Sequence, residues 1–241
     1  MKNITLLSCL LCAVTFLSCD GDLNCSPATG EVIEEELELD SFSKLSLEIS
    51  GNVFITKGSD QRVTVTAQSS IVELLRQTSV TDNTWIIGDF DSCITTDEGI
   101  VINVTVPMLT AVSVSGSGNV VVQDSFSQNS VLLTASGSGS IDGRFETTNM
   151  ECTVSGSGGI SVEGTTQELE VSISGSGSVA AFALPSETCQ AIVSGSGDAS
   201  VNVRDVLDVL ISGSGSVSYK GNPTINSTIS GSGSVNNANP S

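Results

Sequence analysis

The sequence predicts an all-β protein, a single-chain parallel β-solenoid (a β-helix, expected to be right-handed) whose coils share a Ser-Gly-Ser-Gly corner. Three observations predict it: this tetrapeptide occurs seven times, the copies are 18 to 21 residues apart, and apolar and polar residues alternate between them. A short fixed period is the signature of a repeat architecture. Alternation with a period of two indicates a strand with one buried face. The blocks begin at Ser115, Ser136, Ser155, Ser174, Ser194, Ser212 and Ser230.

The residues before each block predict the strand that enters the corner. Positions one, three and five residues before a block are mostly apolar, and the positions between them are mostly polar; in the third repeat Met150, Cys152 and Val154 alternate with Glu151 and Thr153. The alternation resumes beyond the block, because valine, isoleucine or alanine stands five positions past the first serine of every block. We therefore expect each repeat to form a strand, a corner and a second strand, which together make one coil.

The two glycines of each block require a geometric reason. A glycine in a strand destabilises it by roughly 0.5–1 kcal/mol relative to alanine. Fourteen of them sum to about 7–14 kcal/mol, which is as much as the net stability of a whole domain. Glycine is therefore expected where φ is positive or where another backbone leaves no room for a Cβ. Both glycines of a block fall on the inward count of the alternation, so we predict a narrow corner in which glycines of successive coils stand above one another.

The serines of the blocks fall on the outward count and form the candidate binding surface. Two interpretations remain open: the serines belong to a corner that only holds the coils in register, or their hydroxyls form a flat polar face that contacts a ligand. The candidate residues are Ser115, Ser117, Ser136, Ser138, Ser155, Ser157, Ser174, Ser176, Ser194, Ser196, Ser212, Ser214, Ser230 and Ser232.

Residues 1–18 are predicted to be a signal peptide and are excluded from the fold. One lysine precedes a mostly apolar run over residues 4–17, which is too short to cross a bilayer as an ordinary helix. Phe16-Leu17-Ser18-Cys19 resembles the lipobox of a bacterial lipoprotein, so Cys19 is the predicted lipidation site, and its acyl chains would bind the protein to a lipid bilayer. A plain signal peptide with an incidental cysteine is the alternative.

Four cysteines lie beyond Cys19, in a compartment where disulfides are permitted. Cys152 and Cys189 both occupy inward positions, but their blocks are two coils apart. Their sulfurs should therefore lie roughly 9–10 Å apart along the axis, too far for a disulfide. We predict two buried free thiols here, and Cys25 and Cys93 could form a disulfide.

Upstream of the first block the pattern is looser. Residues 19–39 are predicted to be an acidic linker that precedes the first strand and shields the N-terminal edge of the solenoid with charge. The polar tail, residues 237–241, is expected to end the solenoid without a strand that invites pairing. The predicted strands cover residues 45–53, 62–67, 85–87 and 100–106, and residues 71–77 are predicted to form about two turns of helix.

The composition excludes several classes of function. The chain has 241 residues, with 27 acids, 8 lysines and arginines, and a net charge of -19, so it lacks the cationic surface that nucleic acid requires. It has no histidine, which excludes Ser–His and Cys–His nucleophile pairs and histidine-ligated zinc. Because no Cys-x-x-Cys occurs among the four cysteines beyond Cys19 and no calcium-binding repeat is visible, we predict neither a metal site nor a cofactor.

One row of carboxylates keeps an enzymatic alternative open. Glu151 and Glu170 each lie four residues before a block, so they should stack on adjacent coils, with Asp208 beyond Gln190 on the same row. Two carboxylates about 5 Å apart would suit a retaining glycosidase. A solvated acidic face is the simpler interpretation, because nothing in the sequence supplies a buried acid, and no catalytic residue is predicted.

The repeated tetrapeptide, the unit at residues 45–53 and the closing run Ser212-Gly213-Ser214-Gly215-Ser216-Val217-Ser218-Tyr219-Lys220-Gly221-Asn222-Pro223 resemble the bacterial head GIN domain. The resemblance covers roughly residues 40–236. It implies an all-β domain exposed at the cell envelope, in a family named for auto-transporter adhesins and rich in lipoproteins of the Bacteroidota. It supplies no catalytic residue.

The resemblance therefore predicts a non-enzymatic envelope lipoprotein with an adhesin-like binding module at the outer membrane or cell surface. Attachment facing the periplasm is the alternative address. The expected partner is a glycan, a protein or another envelope component. A carbohydrate-active enzyme and a passive, self-associating envelope protein remain the alternative functions.

Overall fold

The computed structural model describes residues 25–88, 90 and 94–240. Cys19, Cys93 and the predicted signal peptide lie outside the described residues. The fold is all-β, with a parallel β-solenoid of about seven turns, which confirms the predicted class. The strands are β1 Ser26–Pro27, β2 Val32–Leu37, β3 Lys44–Leu47, β4 Asn52–Lys57, β5 Arg62–Gln68, β6 Val80–Thr81, β7 Thr84–Ile87, β8 Ile94–Thr95, β9 Val101–Val106, β10 Ala111–Gly116, β11 Asn119–Gly137, β12 Ser140–Gly156, β13 Gly159–Thr165, β14 Glu168–Gly175, β15 Ser178–Gly195, β16 Asp198–Gly213, β17 Ser216–Lys220, β18 Thr224–Gly231 and β19 Ser234–Asn237, and helix α1 is Ser69–Arg76.

Each coil has two arms that meet at the Ser-Gly-Ser-Gly corner. The arms before the corner pair in parallel from coil to coil as the leading sheet, in the order β7, β3, β10, β11, β12, β14, β15, β16, β18. The arms after it pair as the trailing sheet, in the order β9, β4, β11, β12, β13, β15, β16, β17, β19. Strands β11, β12, β15 and β16 are 16 to 19 residues long because they continue round the far corner from one sheet to the other.

The blocks stand in register from β10 to β18 of the leading sheet, as predicted. Ser115 pairs with Ser136, and the same pairing of first serines continues through every later block to Ser230. The first glycines form a column beside them, from Gly116 to Gly231. The period of 18 to 21 residues therefore corresponds to one complete coil.

The prediction that both glycines of a block face inward was wrong for the first of them. The second glycine is buried in six of the seven blocks, whereas the first is exposed or half-buried, and its φ is positive in every block. Gly175, for example, has φ +122°, and a Cβ on it would lie 2.5 Å from the carbonyl oxygen of Gly156 in the preceding coil. The first glycine therefore makes the bend itself, and a close-packed second glycine follows it.

The interior is filled by the inward columns that the alternation predicts. Two phenylalanines, Phe126 and Phe145, stand directly opposite each other on adjacent coils and are fully buried at the far corner. One column of the leading sheet includes Leu133, Cys152, Val171, Ala191 and Val209, all of them buried.

At the N-terminal end the order of coils in space differs from their order in the sequence. The coil of β7 and β9 is outermost, and the earlier strands β3 and β4 lie between it and β10 and β11. The predicted helix is confirmed as α1, which packs against β2 and β5 and buries Ile71, Val72 and Leu75.

The Glu-rich segment expected to precede the first strand is itself a strand, so that expectation was wrong. It forms β2, which pairs antiparallel with β5 and forms the outer edge of the trailing sheet. Glu34 and Glu36 are exposed on it, and Glu35 forms an ion pair with Arg76 of α1. Charged side chains on an edge strand oppose pairing with another chain.

The C-terminal end also differs from the prediction that it carries no strand open to pairing. β18 pairs with β16 on one side, and no described residue pairs with its other side. All eight of its residues are exposed. The polar tail continues along the preceding coil and does not cover this strand, since the Ala238 amide donates to the Tyr219 carbonyl in the register of β19 on β17.

Candidate binding surface

The block serines form two parallel rows of hydroxyls along one edge of the solenoid. Thirteen of the fourteen are exposed, and Ser136 is half-buried. Among the described residues, none of these hydroxyls makes a hydrogen bond to another protein atom. Hydroxyls donate and accept, so both rows are free to bond water or a ligand.

The backbone beneath these rows is held by a repeated pair of hydrogen bonds. The Gly137 carbonyl accepts from the amides of Ser157 and Gly158, at 2.8 and 2.9 Å. The same arrangement recurs at the Gly116, Gly156, Gly195 and Gly213 carbonyls. The second serine of every block after the first is therefore held by its backbone amide to the coil before it. Successive hydroxyls repeat at roughly the 4.8 Å spacing of paired strands.

A shallow groove on the outer face of the leading sheet is the second candidate site. It has a volume of about 750 Å³ and runs across seven coils, near the start of each leading arm. The predicted carboxylate row lies in it: Glu151 pairs with Glu170, and Gln190 and Asp208 follow in the same column.

The groove adds residues that sequence reasoning missed. Glu168 lies two positions before Glu170 and lines the same groove, and Lys44 lies at its N-terminal end. Glu168 could have been found from the sequence, because it stands at an outward position six residues before a block. Glu151, Glu168, Glu170 and Asp208 are all exposed, so the groove presents solvated negative charge and no enclosed acid.

The two inward cysteines are buried free thiols, as predicted from the register. Burial raises the pKa of Cys152 far above its ordinary value of 9.0, with smaller contributions from Cys189 and Glu151. Burial, with the charge of Asp208, raises the pKa of Cys189 to about 12. Neither thiol is a candidate nucleophile, because the thiolate is the reactive form. Cys25 is disulfide-bonded, and Cys93, its predicted partner, lies outside the described residues.

We expect Cys152 and Cys189 to resist alkylation by iodoacetamide at pH 8 in the native protein and to react fully in denaturant. The free energy of unfolding should also fall as the pH rises above about 9, because both thiols lose their protons there in the unfolded chain and keep them in the folded chain. Peptide mass spectrometry measures the alkylation, and thermal unfolding between about pH 8 and 11 measures the loss. A Cys152→Ala, Cys189→Ala variant is the control and should show less of this loss. Rapid native labelling would contradict the assigned register.

Within residues 25–88, 90 and 94–240, no group of three or more cysteine or acidic side chains is arranged to hold a metal ion. The helix in this part of the chain is too short to span a membrane.

The structure thus defines a parallel β-solenoid whose candidate surfaces are a hydroxyl-lined edge and an open acidic groove. The chain belongs to the family described as "Putative auto-transporter adhesin, head GIN domain", which matches residues 41–223. No curated protein shows significant similarity to it.

Three solved structures have the same fold. A "putative adhesin" from Bacteroides fragilis NCTC 9343 is 24% identical, with a TM-score of 0.80 over 88% of this chain and 99% of its own. A "putative lipid binding protein" from Parabacteroides distasonis ATCC 8503 is 22% identical, with a TM-score of 0.71 over 89% of this chain and 99% of its own. A "putative adhesin" from Parabacteroides merdae ATCC 43184 is 18% identical, with a TM-score of 0.71 over 89% and 99%.

Proposed function

We propose that the protein is a non-enzymatic, adhesin-like binding module of the cell envelope, anchored by acyl chains on Cys19 and displayed at the outer membrane or cell surface. Membership of the head GIN family and the likeness to two structures described as adhesins support the binding function. The lipobox-like sequence before Cys19 supports the anchor. The acids at positions 20 and 22 resemble both the inner-membrane retention signal of enterobacteria and the surface-export signal of the Bacteroidota, and the family of this chain favours the second.

The rows of free serine hydroxyls carry this proposal. A rigid edge with hydroxyls at a constant spacing suits a ligand whose polar groups also repeat, such as a polysaccharide. Each hydrogen bond contributes only about 0.5–1.5 kcal/mol in water, so affinity depends on engaging several coils at once. Aromatic residues make up only 4% of the chain, so these repeated polar contacts, and not aromatic stacking, are the expected source of recognition.

The prediction is that replacing Ser157, Ser176 and Ser196 together by alanine weakens polysaccharide binding at least tenfold. Three lost hydrogen bonds of about 0.5–1.5 kcal/mol each account for that factor. Binding of purified protein to immobilised envelope and host polysaccharides is measured by surface plasmon resonance. Stability should stay within about 0.5 kcal/mol of the parent, because these side chains are exposed and unbonded.

The matched control replaces Ser161, Ser200 and Ser218, which share one outward column of the trailing sheet, by alanine. This variant should bind as the parent does. Equal loss in both variants, or none in the first, would show that the block serines are not the contact surface.

The acidic groove favours a second candidate, a carbohydrate-active enzyme. Glu151 and Glu170 are adjacent in register at roughly 4.8 Å, near the carboxylate separation of a retaining glycosidase. Release of reducing ends from the same polysaccharides, lost in Glu151→Gln and Glu170→Gln, would support this function. Retention of the polysaccharide without cleavage would support the binding module.

A further inference from the structure

The C-terminal end of the solenoid is an open edge of both sheets. β18 and β19 pair with the preceding coil on one side, and no described residue pairs with them on the other. Residues 238–240 do not cross this end, because the Asn239 side chain accepts from the Gly221 amide at 2.9 Å and donates to the Gly221 carbonyl at 2.8 Å. Unpaired strand edges are templates for pairing with another chain.

The core columns are also open at this end. Ile225 stands in register with Leu207 of the preceding coil, and Ile229 with Ile211. Leu207 and Ile211 are fully buried. Ile225 and Ile229 are 36% and 41% exposed because no described residue forms a further coil over them. The surface at this end therefore exposes apolar side chains that continue the columns of the hydrophobic core.

The last coil carries no charged side chain. Residues 221–241 contain no aspartate, glutamate, lysine, arginine or histidine, in a chain with a net charge of -19. At the groove, Glu170 and Asp208 occupy the column that Asn226 continues on β18, where its side-chain amide donates to Asp208 at 2.8 Å. Two copies can therefore bring these ends together without the repulsion that their other surfaces would cause.

We propose that two copies of this chain associate end to end, with β18 of each pairing antiparallel about a two-fold axis. An isologous contact of this kind requires the surface to be self-complementary. Residues of like parity share a face of a strand, so pairing Ile225 with the partner's Ile229 keeps both isoleucines in a common core. This register places Ser227 opposite the partner's Ser227.

The opposite end favours this arrangement over head-to-tail stacking. A head-to-tail contact would place β18 and β19 against the N-terminal edge, where β2 carries Glu34, Glu35 and Glu36. Glu35 lies on the inward count of β2 with its partner Arg76, so covering that edge would remove charged groups from water. The neutral end has no such cost when it meets itself.

We expect a reversible dimer, because the contact is small. Each copy contributes the eight residues of β18 and the four of β19, which is below the size of a permanent interface. Sedimentation velocity of the purified protein from about 1 to about 100 µM should show conversion of monomer to dimer. Ile229→Lys should weaken the dimer at least tenfold, since it buries an unpaired charge in the contact.

Met108→Lys is the matched control, because Met108 is 48% exposed in the loop between β9 and β10. It should dimerise as the parent does. Ser227→Cys supplies a second measurement that does not depend on the folding of a lysine variant: oxidation should give a disulfide-linked dimer, and Ser161→Cys should not. A monomer at every concentration, oligomers larger than a dimer, or no cross-link at position 227 would overturn the proposal.

Discussion

Gly158→Ala is expected to lower the free energy of unfolding by about 3 kcal/mol or more. Gly158 is the second glycine of its block and is buried against the preceding coil. A Cβ there would overlap the carbonyl oxygen of Gly139, well inside the 3.0 Å limit of real Cβ contacts. The Gly139 carbonyl also accepts the Gly159 amide at 3.1 Å, so it cannot move without straining the ladder.

The next residue supplies the control. A Cβ on Gly159 would come no closer than 3.5 Å to any atom, and its φ is not in the left-handed region. Gly159→Ala should therefore be neutral or stabilise the strand by about 0.5–1 kcal/mol. Urea unfolding followed by circular dichroism measures both variants. Similar losses in the two would mean that close packing of the glycine column does not hold the coils together.

Cys19→Ser is expected to abolish both acylation and display at the cell surface. Each buried methylene of an acyl chain contributes about 0.8 kcal/mol to membrane binding, so losing more than one chain removes a stable anchor. Mass spectrometry of the N-terminal peptide measures acylation. Protease shaving of intact cells, with a periplasmic protein as the integrity marker, measures display.

Cys12→Ser is the control for this experiment, because Cys12 lies in the apolar run predicted to be removed with the signal peptide. It should be acylated and shaved like the parent. An unmodified N-terminal peptide in the parent would refute the lipid anchor. An acylated parent that resists shaving would place the domain on the periplasmic side of the membrane.

Much of the solenoid was predictable, because residues at the same offset from their Ser-Gly-Ser-Gly blocks stand in one column on successive coils. Cys152 and Cys189, which are three and five residues before blocks two coils apart, illustrate this. In a parallel solenoid, equal sequence offsets become neighbours on successive coils. The same rule placed the block serines on one edge and Glu151 beside Glu170.

The groove and the two ends were not predictable in this way. The groove lies where the chain leaves the far corner, and the repeat is irregular at that corner, with register shifts between Val122 and Ser125 and between Ala181 and Pro185. Antiparallel pairing of β2 with β5 joins segments that the repeat pattern does not cover. The alternation of apolar and polar residues predicts a strand and its buried face, but it does not predict which distant strand pairs with it.

The amino-acid order by itself determined the coil, its period and its inward and outward columns, because strand alternation and repeat length are local properties of the chain. The tertiary structure alone decided three features. The first glycine of each block bends the backbone, β3 and β4 lie between the coil of β7 and β9 and the coil of β10 and β11, and β18 has no described strand on its outer edge. Each of these depends on what packs against a segment, and in the described part of the chain nothing packs against the outer edge of β18.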